Sequence, residues 1–128
     1  MTSGIEAVTT AALGLALDAA SLRQQAIAAN IANASAETYQ PLEVSFDAQL
    51  GAARESLASQ GSIDPATLAE VRPELVPVAP DEAGLPPKVM LDLEVAAMAR
   101  NGVQYQALLK GLARHFSILS SAISEGKR

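Results

Sequence analysis

The sequence predicts an all-α protein in which two long terminal helices pair as an antiparallel coiled coil, separated by an irregular proline-rich middle segment that carries short helices. All seven prolines lie between Pro41 and Pro87, so both ends of the 128-residue chain are free of helix breakers. A repeat of apolar residues with a 3.5-residue period runs through the C-terminal part. We therefore divide the chain into an N-terminal helix (1–34), a middle segment (35–88) and a C-terminal heptad helix (89–128), which together form one domain.

The N-terminal helix is apolar on more than one side. Its charged residues up to position 33 are Glu6, Asp18 and Arg23, and its apolar residues follow two separate stripes. A helix with two apolar faces has to be buried on both. Pairing with one other helix covers one stripe, so we expect the other to stay uncovered in the monomer and to mark an interaction surface. The side chains predicted to lie in the helix pairing or in a subunit interface are Leu15, Leu22, Ile27 and Ile31.

The C-terminal helix carries the most regular pattern in the chain. Alternating steps of four and three residues pass through ten positions, and nine of the ten are apolar or aromatic. This is the repeat of a coiled coil sustained over more than four heptads. The tenth position is a glycine, whose cost of about 1 kcal/mol in a helix would be offset by close packing against another helix. The ten positions, called the heptad row below, are Leu91, Val95, Met98, Gly102, Tyr105, Leu109, Leu112, Phe116, Leu119 and Ile123.

The middle segment supports only short elements. A helix is predicted from about Phe46 to Ser59, ended by Gly61. A second helix of one or two turns is expected after Asp64, a good capping residue, and Pro65, a good first residue. The chain from 72 to 88 is predicted to be extended or irregular, and the whole segment to be mobile in the free monomer.

Composition argues against several classes of function. The net charge of −5 and the scattering of nine basic residues argue against a nucleic-acid partner. The absence of cysteine removes disulfides and thiol chemistry. His115 is the only histidine, which makes it more typical of an interface than of a metal or catalytic site. We predict no catalytic residue, no metal site and no cofactor, and so not an enzyme.

The N-terminus shows no pattern of a cleavable signal, since no basic residue precedes Arg23. The longest unbroken apolar stretch, residues 11–17, is far shorter than the ~20 residues that cross a bilayer. We therefore expect no direct membrane span. Any export of the protein would use a route that does not read a classical signal.

Residues 22–50 resemble the N-terminal signature of the bacterial flagellar rod and hook family. That signature has an Asn-Ile-Ala-Asn core followed within a few residues by a tyrosine. Residues 91–123 are similar to the C-terminal arm of the proximal rod members of the family, and the short chain also fits them. The resemblance covers both arms, with departures at 36–38 and 84–87, where family members carry a Thr-Pro pair and a Gly-Asn step. The motif residues here are Asn30, Ile31, Ala32, Asn33 and Tyr39.

The resemblance implies an axial structural protein of the basal-body rod. Such a protein is exported through the flagellar type III apparatus without a cleaved signal peptide and is built into the periplasmic part of the flagellum. The implied partners are other rod subunits, the adapter protein between rod and membrane ring, the export gate, and copies of the chain itself in a helical assembly. A cytoplasmic helical-hairpin adaptor or secretion chaperone stays open as an alternative; the acidic balance suits it, but it would not need the Asn-Ile-Ala-Asn motif.

The two motif asparagines have two interpretations. Asn33 ends the first helix in the left-handed conformation that asparagine tolerates, and Asn30 is a polar residue in the last turn. Alternatively, both amides satisfy buried backbone groups at a turn wedged between subunits, where an unpaired polar group costs about 1–3 kcal/mol. We favour the second interpretation, and the two are compatible.

Overall fold

The computed structural model describes residues 2–127, with side chains described at all of these except 2, 3, 47–50 and 52. The chain is mostly helical, and the two long terminal helices are confirmed. In chain order the elements are α1 (Thr2–Ala32), β1 (Leu42–Ser45), α2 (Asp47–Gln60), α3 (Pro65–Glu70), β2 (Glu74–Pro77) and α4 (Leu91–Gly126).

The two long helices pack against each other in opposite directions. Near the start of α1, the Thr10 hydroxyl lies 3.2 Å from Nε2 of His115, in the second half of α4. Further along α1, Arg23 contacts Asn101 in the first half of α4. Among the described elements α4 packs only against α1, so the rest of its surface is free of contacts with other elements.

Two short strands correct the expectation of an all-α chain. β1 and β2 pair antiparallel, with Leu42 opposite Pro77 and Ser45 opposite Glu74. Both strands contact α1, so an apolar helix surface lies beneath their pairing. Strands of four residues offer too few positions for an alternating pattern to be recognised, which is why the sequence predicts only extended chain here.

The two helices of the middle segment form at the positions that the sequence predicts. α2 ends at Gly61, whose φ of 70° is left-handed and whose N–H donates to the Leu57 carbonyl. The Asp64 carboxylate accepts a hydrogen bond from the Ala66 N–H and so caps α3, with Pro65 as its first residue. From 78 to 90 the chain has neither helix nor strand.

The buried core corrects a second expectation. It consists of α1 residues Ala19, Ala20, Ala26 and Ile27 together with Ala53, Leu68 and Val71 of the middle segment. The second apolar face of α1 is therefore covered by the chain's own middle segment. Small alanine side chains on α1 permit this close approach, because they leave room for backbone on both sides. Most of the large hydrophobic side chains that stay exposed lie on α4, although Ile5 of α1 is 71% exposed.

Residues Gly4–Ala32 of α1 are long and apolar enough to cross a membrane by length and composition, with a mean hydropathy of 1.4. A core helix of a soluble protein and a signal sequence pass the same test. In this structure the helix contacts α3, α4 and both strands. Within the chain, 11% of this apolar window is buried.

Candidate functional site

Asn30 is the centre of a polar cluster where α1 ends, and only 3% of its surface is exposed. Its Oδ1 accepts hydrogen bonds from the Leu42 N–H at 2.8 Å and from the Tyr39 hydroxyl at 2.8 Å. Its Nδ2 donates to the Leu42 carbonyl at 3.0 Å and to Oε2 of Glu94 at 3.4 Å. One amide therefore joins the last turn of α1 to the following loop, to β1 and to the first turn of α4.

The chemistry of this contact requires an amide. The side chain of Asn30 offers an acceptor beside a donor, which matches the N–H and C=O of one extended residue, Leu42. A carboxylate lacks the donor and an aliphatic side chain lacks both. The interpretation that a motif amide satisfies backbone groups therefore holds for Asn30, and the groups it satisfies belong to its own chain.

Tyr39 is held in the same cluster with its ring half-buried. Burial raises the pKa of its hydroxyl above the usual value, and the negative charge of Glu94 raises it further. Both effects keep the hydroxyl protonated, so it stays a donor to Asn30. The tyrosine of the motif and its first asparagine thus form one hydrogen-bonded unit.

The second motif asparagine has a different role. Asn33 is exposed, and its Nδ2 donates to the Ala29 carbonyl at 2.8 Å, which the Asn33 N–H also contacts at 3.1 Å. The side-chain amide therefore adds a second hydrogen bond to a carbonyl that the Asn33 backbone N–H already pairs. The expectation that Asn33 adopts the left-handed conformation is wrong, because positive φ values among the described residues occur only at glycines. Between the two asparagines, Ile31 is half-buried and Ala32 is exposed.

A second polar cluster joins the two long helices and was not predicted from the sequence. Asn101 of α4 is 3% exposed, and its Nδ2 donates to the Ala20 carbonyl at 2.8 Å and to Oε1 of Gln24 at 2.9 Å. Its Oδ1 accepts from Nη1 of Arg23 at 3.3 Å. The sequence did contain one indication of this cluster, a single asparagine beside the heptad row. A buried asparagine commonly fixes the register of paired helices.

The heptad row does not lie as a whole against α1. Its members Met98, Leu112 and Leu119 are half-buried, as are Leu108 and His115 on one side of them. The contact surface is therefore rotated toward the side of α4 that carries Asn101 and His115. The hydrogen-bonding partners of these two residues lie on α1, so the polar contacts account for this rotation. The remaining large members of the row are exposed: Leu91, Val95, Tyr105, Leu109, Phe116 and Ile123.

On α1, the four predicted interface residues are all at least half-buried within the monomer. Ile27 belongs to the core, and Leu15, Leu22 and Ile31 are partly covered. Gly102 was expected to pack closely, but a Cβ placed on it would meet no atom within 4 Å. A Cβ at Gly111 would lie 4.0 Å from Cδ2 of Leu13, an ordinary contact distance.

An open cavity of about 450 Å³ lies beside the Asn30 cluster. It is lined by the loop from Asn33 to Gln40 and by residues around Pro86, Pro87 and Lys88. Of the segments that depart from the family pattern, all of 36–38 and the two prolines of 84–87 therefore line this cavity. Among the described residues, no group of three or more His, Asp or Glu side chains could hold a metal ion.

Comparison of the chain with protein-family models found no match, and comparison with curated protein sequences found none either.

Proposed function

We propose that this chain is a structural subunit of the bacterial flagellar basal-body rod, of the proximal type. The observation that carries the proposal is the hydrogen bond between the Tyr39 hydroxyl and Asn30 Oδ1. These two residues lie nine positions apart, and both belong to the motif that carries the resemblance. Because they are hydrogen-bonded in one cluster, the motif has a physical role: the cluster fixes the turn that follows the first helix.

The proposal includes an antiparallel coiled coil of α1 and α4. Polar contacts between the helices occur at three levels, through Asn30 near one end, Asn101 in the middle region and His115 near the other end. Polar contacts inside a helix pair fix its register at some cost in stability. A pair held in one register is suited to transmitting torque, since a slip would change the shape of every subunit.

The subunit would act without chemistry at an active site. It would leave the cytoplasm through the flagellar type III apparatus and assemble in the periplasm with copies of itself, other rod subunits and the ring-to-rod adapter. The exposed apolar members of the heptad row would provide contact surface for these neighbours, because contiguous exposed apolar surface marks interaction sites.

A cytoplasmic helical-hairpin adaptor or secretion chaperone is the second candidate. The exposed apolar surface of α4 and the net charge of −5 favour it, since a chaperone needs a surface for a client. An adaptor or chaperone would have no need for the hydrogen bond between Tyr39 and Asn30. That hydrogen bond lies at one end of the helix pair, and the contact of His115 lies at the other end.

Location within the cell separates the two candidates. Basal bodies would be purified from the source bacterium and probed for the chain, in strains with an intact and with an inactivated export apparatus. A rod subunit is present in intact basal bodies and stays in the cytoplasm when export is blocked. A chain that is absent from basal bodies and remains cytoplasmic, bound to another flagellar protein, contradicts the proposal and supports the adaptor.

A further inference from the structure

One apolar face of α4 has no partner within the chain. It consists of the heptad-row members on the side away from Asn101 and His115, and we call it the outer row: Val95, Gly102, Leu109, Phe116 and Ile123. Val95, Leu109, Phe116 and Ile123 are between 43% and 61% exposed. Because α4 packs only against α1 among the described elements, these four side chains stay largely uncovered in the monomer, whereas Gly102 is half-buried beside α1.

The outer row matches itself when two copies run in opposite directions. With Leu109 on the two-fold axis, its regular spacing places Phe116 of each copy opposite Gly102 of the other, and Val95 opposite Ile123. The space around Gly102 is open, since a Cβ there would meet nothing within 4 Å. The large ring of Phe116 thus faces the open space at Gly102, and the mid-sized side chains of Val95 and Ile123 face each other.

The charges along α4 favour the same antiparallel arrangement. Before Leu109 the helix carries Asp92, Glu94 and Arg100, a net charge of −1, and after it Lys110, Arg114 and Glu125, a net charge of +1, with Lys127 following the last turn. Opposed helices bring the net acidic half of one copy beside the net basic half of the other, whereas parallel helices bring halves of like charge together. One flank of the outer row carries four uncharged side chains, three of them short, which permit a close approach on that side: Ala99, Gln106, Ala113 and Ser120.

We propose that the free chain forms a two-fold dimer in which the outer row of α4 packs antiparallel against the outer row of a second copy. This goes beyond the proposed function and does not rest on it. One helix face per copy is smaller than the ~800 Å² per partner of a standard interface, so the dimer is a weak one with a Kd in about the micromolar range.

Cysteine cross-linking tests the direction of pairing, because the natural chain has no cysteine. Val95→Cys and Ile123→Cys would be prepared as separate full-length proteins and oxidised alone and as a mixture. Antiparallel pairing gives a disulfide-linked species only in the mixture, between one protein of each kind. Cross-linking of Val95→Cys with itself indicates parallel pairing and overturns the proposal, as does the absence of any cross-link.

Analytical ultracentrifugation over a concentration series tests the contact itself. Phe116→Ser is expected to raise the dimer Kd about 100-fold, since each dimer loses two copies of the ring. Gly102→Ala is expected to weaken the dimer several-fold while leaving the monomer folded, because its added methyl group fills the space that Phe116 needs. Val103→Ser is the control, since Val103 is 70% exposed but lies off the outer row.

Circular dichroism of each variant establishes that the monomer is folded. Folded variants with the wild-type Kd overturn the proposal, and so does a wild-type chain that stays monomeric up to ~1 mM. Growth into species larger than a dimer also overturns it, because a closed two-fold contact stops at two copies. A dimer found for a chain absent from basal bodies would refute the rod function and leave this inference standing.

Discussion

Replacing Asn30 by alanine should destabilise the fold far more than replacing Asn33, although both asparagines belong to the same motif. Asn30→Ala leaves the N–H and C=O of Leu42 and the Tyr39 hydroxyl without their partner. Asn33→Ala removes one exposed hydrogen bond to the Ala29 carbonyl, which water can replace.

The magnitude follows from the number of groups left unpaired. A buried polar group without a partner costs about 1–3 kcal/mol, and three groups lose their partner here. Water from the neighbouring open cavity, which Tyr39 lines, recovers part of that cost. We expect Asn30→Ala to lower the free energy of unfolding by about 2–4 kcal/mol and Asn33→Ala by less than about 1 kcal/mol.

Urea unfolding followed by circular dichroism at fixed protein concentration measures both values. Asn30→Asp adds a pH test, because its carboxylate keeps the acceptor, loses the donor and lies beside Glu94. Burial and Glu94 would raise the pKa of this carboxyl in the folded state, so its stability relative to wild type is restored as the pH falls and it becomes a donor. Asn30 does not hold the cluster together if Asn30→Ala lowers the free energy of unfolding no more than Asn33→Ala does, or if the loss of stability in Asn30→Asp does not change with pH.

Three further predictions concern single side chains. Asn101→Leu is expected to retain or raise the thermal stability of the chain while allowing the two long helices to slip relative to each other. Slipping would broaden the distribution of distances between spin labels on α1 and α4, and a single sharp distance would contradict this prediction. Gly102→Ala should raise the free energy of unfolding by up to about 1 kcal/mol, whereas Gly61→Ala, at a left-handed position, should lower it; equal effects would contradict the assignment. Because burial raises the pKa of Tyr39, its contribution to stability is present below about pH 10 and is lost as the pH rises through its folded-state pKa, so Tyr39→Phe should flatten the alkaline loss of stability. Tyrosinate absorbance in a Tyr105→Phe background reports Tyr39 alone, and a midpoint at or below about 10 would refute the raised value.

The positions of the helices could be predicted from the sequence, but the side of α4 that packs against α1 could not. The confinement of prolines to 41–87 correctly predicted the positions of the two long helices. Gly61 correctly predicted the end of α2, and Asp64 the beginning of α3. These signals are local: a missing N–H, a left-handed residue or a cap acts within one turn.

What could not be predicted depends on contacts distant in sequence. The β1–β2 pair forms where both strands lie on α1. A strand of four residues is too short to show an alternating pattern from which this pairing could be predicted. The rotation of α4 toward Asn101 follows from partners near residue 20, which a repeat counted along α4 alone does not include. Asn30 was identified through the motif, but its partner Leu42 depends on the path of the loop.

If the chain is a building block of the rod, its loss should be visible in electron micrographs of basal bodies. Basal bodies from a strain lacking the gene would be compared with those from strains complemented with the intact gene, with Asn30→Ala or with the control Asn33→Ala. We expect membrane rings without a rod in the deletion strain, full restoration of the rod by the intact gene and by Asn33→Ala, and impaired restoration by Asn30→Ala. Complete rods and hooks in the deletion strain would contradict the proposed rod function.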